Sequence, residues 1–474
     1  MKKHLPTILI ITIPLLIVGI VIALWGAGTI PNSLGDNITA SEMAVNTANS
    51  KTIELENSLK ITEPGVYTLF GTIENGLITI NTTGVVQLIL NGVSITNQTG
   101  PAIYVEEAKT VIVETAEGSK NVLTDASIYS GWDDDVCGTL FSHDDLVLQG
   151  SGTLIVNGNF EDGIVGKDDL KIISGNYQIN AKDEGIRGRD SVYIVDGNFE
   201  IEAGGDAIKS NNQEEVAKGW VKIDGGTILA SAGDDGIHAE SSLEINGGDI
   251  KIAKSYEGLE GAKITINGGN ISVIADDDGL NAAGGNDSSS PNMARYQESS
   301  SNYAIYINGG KVYVNSAGDG IDSNGALYLN GGTVIVDGPV NNGNGALDAE
   351  TGVIYSGGTV IAVGASGMAV TPNTSSTKNS LSIFFSQTYS ANTVLTVKDS
   401  SGNLILEHTS AKSFSHASLS SDQFTEGQTY LIFINGVEYA STTLSGKTTQ
   451  VGSGGNMGPG GGGMDPGGMR PNRP

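Results

Sequence analysis

One phrase recurs through the middle of the chain: Asp162-Gly163-Ile164, Glu184-Gly185-Ile186, Asp206-Ala207-Ile208, Asp235-Gly236-Ile237, Glu257-Gly258-Leu259, Asp278-Gly279-Leu280 and Asp319-Gly320-Ile321. Gly163 and Gly185 lie 22 residues apart, as do Gly236 and Gly258, and Gly279 follows Gly258 by 21. A fixed period of this length means stacked supersecondary units, none of which can bury its apolar face alone. Within one unit, Gly236-Ile237-His238-Ala239, Leu243-Glu244-Ile245 and Ile250-Lys251-Ile252 alternate apolar and polar residues between glycines. That is strand periodicity. Such short strands must pair with the same run in neighbouring units.

Three apolar columns follow from the alignment of units. The first reads Leu140, Ile164, Ile186, Ile208, Ile237, Leu259, Leu280, Ile321, Leu347. The second reads Leu146, Leu170, Val192, Val221, Leu243, Ile264, Ile305, Leu327, Val353. The third reads Leu154, Tyr177, Phe199, Ile228, Ile250, Ile271, Val312, Val334, Val360. Three inward columns predict an all-β, three-faced parallel β-helix with a filled interior. Nine coils would make a rod about 43 Å long at the usual strand spacing. The runs from Val86 to Val93, Ala102 to Val105 and Val111 to Val113 extend the pattern upstream as less regular coils.

A net charge of −28 argues against a nucleic-acid partner, whose phosphates would be repelled. Cys137 is the single cysteine, so there is no disulfide framework and no thiolate metal site; a buried structural thiol is expected. Lys2-Lys3-His4 precede an uncharged run from Leu5 to Ala27, so residues 1–30 read as one uncleaved N-terminal membrane span, with a cleaved signal peptide as the alternative. Either reading puts the repeats outside the cell, with the span as the sole membrane contact. Residues 31–60 are polar and read as a linker or a cap at the rod's entrance, 61–370 as the repeat domain, and 371–450 as a small C-terminal β unit. Residues 451–474, rich in Gly, Met and Pro, read as a disordered tail. The organisation is that of a monomer.

Stacking turns one acid per unit into a column of carboxylates. Asp162, Glu184, Asp206, Asp235, Glu257, Asp278 and Asp319 form it, with Glu161, Asp183, Asp234, Asp276 and Asp277 beside them and Asp133, Asp134 and Asp135 as a separate knot. Oxygens on adjacent coils, about 4.8 Å apart, are twice a Ca²⁺–O distance, so one Ca²⁺ could bridge two coils. The competing reading is that each acid hydrogen-bonds its own turn. On the first strand's outward positions and just beyond them, His143, Lys167, Arg187, Arg189, Lys209 and His238 form a basic strip. It would suit a polymer bearing carboxylates; alternatively it neutralises the acids beside it. Trp132, next to the triple Asp, is the best aromatic for stacking on a sugar. Insertions at Asn211 to Gly219 and Gly284 to Asn302 leave the same corner, the second a possible flap carrying Arg295 and Tyr296.

The blocks Gly65-Val66-Tyr67-Thr68-Leu69, Val86 to Val93, Gly163 to Ile172 and Lys254 to Ala262 resemble an exported carbohydrate-binding β-helix family, formerly a domain of unknown function, whose fold is similar to pectate lyases. The resemblance covers roughly residues 60–445. It implies a right-handed parallel β-helix, bound Ca²⁺, and binding to plant-type polysaccharides including pectic polymers, without established catalysis. The expected function is a Ca²⁺-dependent, cell-surface carbohydrate-binding protein for an acidic polysaccharide or a cell-wall glucan. A polysaccharide lyase is the alternative, with Arg187, Arg189 or Lys209 as the base beside Ca²⁺. A hydrolase of this fold needs a Gly-His-Gly element, whereas His238 stands in Ile-His-Ala. A surface adhesin without a ligand is the third class.

Overall fold

The computed structural model describes residues 34–283 and 302–453, and its named elements are all strands. Thirty-five strands join one mostly parallel sheet system, and four form a separate antiparallel sheet. Pairing skips two strands at a time: Asp162–Gly166 pairs with Ile186–Gly188, Asp169–Ile172 with Ser191–Ile194, and Asn176–Ala181 with Asn198–Ala203, all in parallel. The chain therefore comes back over itself once every three strands, which is the origin of the 22-residue period.

Each anticipated column is present. The first runs in register from Leu140 to Ile321, and an isolated bridge carries it to Leu347. The second and third run unbroken from Leu146 to Val353 and from Leu154 to Val360. Every member is at most 5 % exposed, so the columns are the core. Upstream, Leu59, Ile78 and Ile103 lengthen the first column by three more turns.

The corner after the second strand shows how tightly the turns stack. Asn246, Asn267, Asn308 and Asn330 each donate from Nδ2 to the Oδ1 of the residue one turn below, starting from Asp224, at 2.7–2.8 Å. Two glycines follow each rung. A Cβ on Gly247 would sit 2.7 Å from the Asp224 carbonyl oxygen, and Gly248 adopts φ +98°. Only glycine satisfies both demands.

Residues 34–48 do not act as the expected linker or cap. They run along the outer side of the second-strand row, against the direction of stacking. Leu34 N–H donates to Glu244 Oε2 at 2.9 Å, Lys222 Nζ donates to the Leu34 carbonyl at 3.0 Å, and Asn37 Nδ2 reaches Ser191 Oγ at 2.8 Å. Lys171 pairs with Asp36 and donates to the Ile38 carbonyl at 2.8 Å. Ile38 is fully buried against Val85, Ile112 and Val147. Strands begin at Ser50–Leu55, inside the segment read as a linker.

At the other end, Thr359–Gly364 pairs antiparallel with Phe414–Ser420, a strand the sequence pattern did not reveal. That strand pairs with Ser380–Tyr389, which pairs in turn with Thr448–Val451. The last parallel edge is thus covered by antiparallel strands, which removes a template for edge-to-edge association. The separate sheet is formed by Val394–Asp399, Leu404–Thr409, Thr429–Ile434 and Val437–Thr443.

The expected membrane anchor requires correction. No helix among the described residues is long and apolar enough to cross a membrane, so the cell-surface localisation built on an N-terminal span is withdrawn. The span itself, the Gly284 to Asn302 insertion with Arg295 and Tyr296 (apart from Asn302), and nearly all of the Gly-rich tail lie outside the described residues.

Residues 34–48 thus form a strap anchored by Ile38, and truncating that anchor tests its role. Ile38→Ala should cost about 2–4 kcal/mol of local stability, read by urea titration. It should open residues 34–48 to limited proteolysis while the repeat region stays resistant.

Candidate functional site

The acid column lies at the corner between the third strand of one turn and the first strand of the next. Its carboxylates first serve the backbone. Asp162 Oδ1 accepts from Glu184 N–H at 3.1 Å, Asp206 Oδ1 from Asp235 N–H at 2.8 Å, and Asp278 Oδ1 from Asp319 N–H at 2.6 Å. Asp319 Oδ1 accepts from Gly345 N–H at 2.5 Å. Each acid thereby ties its turn to the next. Asp162, Asp206 and Asp235 are no more than 2 % exposed and Glu184 is 6 % exposed. Asp183, Asp234 and Asp277 are half-buried beside them, and Asp276 is exposed.

The basic strip forms in register, as Arg187↔Lys209↔His238, but it does not face outward to a free ligand. Arg187 lies 2.7 Å from Asp162 Oδ2, and Lys209 Nζ lies 2.6 Å from Asp206 and 3.0 Å from Glu184. His238 Nδ1 lies 3.0 Å from Asp235 and 2.5 Å from Glu260. The reason is spacing. A base three residues after a column acid projects from the adjoining strand, close enough to reach that acid or its neighbour one turn away, and burial makes pairing obligatory. Burial alone would lower the His238 pKa, but the Glu260 charge and the Asp235 bond raise it well above its ordinary value. These three residues thus meet column acids in an ion-pair zipper in which His238 is buried and Arg187 and Lys209 are half-buried.

The other sequence-derived residues sit apart. Arg189 clamps Glu214 of the 211–219 insertion at 2.7 Å on an exposed surface. Lys167 and His143 approach Asp135 at 3.6 and 4.0 Å. Asp133, Asp134 and Asp135 are exposed on a loop and do not join the acid column. Trp132 is half-buried: it meets Tyr104 edge-on with centroids 4.9 Å apart, and its Nε1 donates to the Thr99 carbonyl at 2.9 Å. Cys137 is buried beside Arg187, and burial pushes its thiol pKa up.

In the later turns the zipper runs out of bases. The position three after the acid reads Glu260, Asn281 and Asp322 where earlier turns carry Arg, Lys and His. Ligand oxygens of Asp278, Asp319 and Asp322 all lie within 4.8 Å of one another. Among the described residues none of the three pairs with a Lys or Arg. Burial, followed by the charge of Asp319, pushes Asp278 up to about 10; burial, ahead of the repulsion from Asp322, pushes Asp319 up to about 8; burial, then Asp348, pushes Asp322 up to about 6. Hard oxygen donors at this separation fit a divalent cation of the Ca²⁺ class. Asp322 was absent from the sequence-derived ligands. Its signal was the fourth letter of the recurring phrase, which the acid column by itself passes over.

Along the same corner, in earlier turns, an open groove of about 440 Å³ is lined by Asn180, Glu202, Ser231 and Lys254 above Ala181 and Ala203. The adjoining third-strand face is exposed at Gln178, Glu200 and Lys251. The outer side of the first-strand row, by contrast, is filled by the zipper, and much of the second-strand row lies under the strap.

Residues 55–338 match the model of a family described as carbohydrate-binding domain-containing protein. A curated protein of Acetivibrio thermocellus with the same description is 41% identical over 131 residues, which are 27% of this chain and 46% of that protein, so the chain spans about half the relative's length. A solved structure, described as the polysaccharide lyase-like protein from C. thermocellum in a gadolinium derivative, is 36% identical. It covers 47% of this chain and 92% of its own, with a TM-score of 0.41.

Two measurements test this electrostatic reading. Arg187→Ala should leave the buried Asp162 carboxyl without its partner and cost about 1–3 kcal/mol, whereas Arg189→Ala should change stability by well under 1 kcal/mol, both by denaturant titration. In chelator, the folded chain binds the protons of Asp322, Asp319 and Asp278 more tightly than the unfolded chain does. Their contribution to stability is therefore full below about pH 4 and is lost as pH rises through about 6, 8 and 10. Asp322→Asn should flatten that decline in Tm against pH.

Proposed function

Since this chain belongs to the carbohydrate-binding domain-containing family, we propose that it binds polysaccharide, as a right-handed, three-faced parallel β-helix that holds Ca²⁺ at Asp278, Asp319 and Asp322 and takes acidic, polyuronate-type polymers as ligands. One observation carries the proposal: three carboxylates converge within 4.8 Å in the turns where the zipper has no base. A bound cation neutralises them, and its remaining coordination positions can accept carboxylate and hydroxyl oxygens from a sugar. The groove at Asn180 to Lys254 lies on the same corner in the preceding turns, so an extended polymer seated there runs on toward the cation. The open third-strand face gives such a polymer room that the other two rows lack.

The lyase alternative needs a Lys or Arg free to take a proton beside the cation. Arg187 and Lys209 are held by buried acids and Arg189 by Glu214, which favours binding over eliminative chemistry.

A glycan array run with Ca²⁺ and with chelator tests the proposal. Binding to polygalacturonate that is lost in chelator, and weakened at least tenfold by Asp319→Asn with Asp322→Asn, is the expected result. Equal binding in both conditions would remove Ca²⁺ from the proposal. Ca²⁺-dependent ultraviolet absorbance growing in polygalacturonate would replace it with a lyase.

A further inference from the structure

The zipper contains one base unlike the others. Arg187 and Lys209 are permanent cations with no lone pair to offer at working pH. His238 can shed a proton and become a ligand. It sits in unusual company: a ring nitrogen of His238 and carboxylate oxygens of Asp206 and Asp235 lie within 4.8 Å of one another, with all three residues buried. The His238 Nδ1 to Asp235 Oδ2 distance is 3.0 Å, and Glu260 Oε2 from the next turn is 2.5 Å away. Ligands held at about 2.0–2.2 Å on one small divalent ion stand about 3 Å from each other, so these separations suit a common centre.

A second observation points to a missing partner. Asp235 is 2 % exposed, yet its Oδ1 is buried with no hydrogen-bond partner among the described residues. An orphaned carboxylate oxygen in such a place is costly unless something binds it. The outer side of the ring is also arranged for ligation: Nε2 faces Glu240 Oε2 at 4.0 Å, the carboxylate-behind-imidazole placement that orients metal-bound histidines. Lys209, 2.6 Å from Asp206, and Glu257, grouped with Asp235 and Glu260, complete the charged surroundings.

We propose that His238, Asp235 and Asp206, with Glu260 adjoining, form a buried site for a borderline divalent transition-metal ion of the Zn²⁺ class, separate from the oxygen-only cluster at Asp278, Asp319 and Asp322. Imidazole selects Zn²⁺-class ions over Ca²⁺, whereas an all-carboxylate cluster has the opposite preference. Ion uptake displaces the Nδ1 proton to solvent, so one divalent cation replaces one imidazolium charge. The ion would clasp three successive turns. Its role would be to lock the zipper at the point where it passes from paired to unpaired acids.

Co²⁺ titration of the full chain with excess Ca²⁺ present tests the site, followed by visible absorption. One equivalent of Co²⁺ should give a visible band that Zn²⁺ abolishes and Ca²⁺ does not. His238→Gln should remove the band, while His143→Gln and Asp322→Asn should keep it. If His238→Gln does not fold, Glu240→Gln should weaken Co²⁺ about 10–100-fold. No band, a band that survives His238→Gln, displacement by Ca²⁺, or unchanged affinity in Glu240→Gln would each overturn the site. Glycan binding does not enter this readout, so the polysaccharide proposal stands or falls separately.

Discussion

Parallel pairing of each strand with its counterpart one turn away sets everything else in this protein. With side chains alternating sides, a slip of one residue would exchange inward for outward positions throughout a turn. Register is enforced at several levels at once. The three apolar columns must meet inside, the amide ladder from Asp224 to Asn330 penalises any offset, and the paired glycines leave no space for a shifted Cβ. Irregularities fall between inward positions, at the end of Thr227–Ser231 between Ala230 and Ser231 and in the middle of Ile237–Ile245 between Ala239 and Ser242, and the inward columns continue past them.

The same stacking creates an electrostatic problem. Like charges one turn apart repel by about 3–4 kcal/mol at an effective dielectric near 20. The chain meets this in two ways. From Asp162 to Asp235, bases on the adjoining strand interleave with the acids and backbone N–H groups take up further oxygens. From Asp278 onward the interleaving stops, and buried carboxylates crowd together with their proton affinity raised. Bases thus offset the acids in the first half of the column, while in the second half Asp278, Asp319 and Asp322 converge with no Lys or Arg paired to them among the described residues.

The fold was legible because its determinants are local and repeated. Nine aligned units carry each inward position redundantly, so one aberrant residue such as Tyr177 or Phe199 does not hide the column. The candidate site was less legible. Arg187, Lys209 and His238 were placed correctly in one row, yet a row position does not say whether a side chain turns to solvent or to the acid of a neighbouring turn. Asp322 was passed over because its meaning lies in what stands beside it after stacking. Trp132 and the Asp133 to Asp135 knot drew attention by composition, but the loop that carries them folds the indole onto Tyr104 and leaves the acids outside the column.

From the amino-acid order alone came the strand period, the inward columns and the gathering of acids on one corner, since each follows from alternation and repeat length. Three features depended on tertiary structure. The strap at residues 34–48 makes contacts across more than 130 residues, the strand Phe414–Ser420 reverses direction to cover the final turn, and the ion pairs decide which carboxylates are neutralised. None of these has a local period. Each depends on which surfaces remain uncovered once the turns have stacked, and that is a property of the assembled chain.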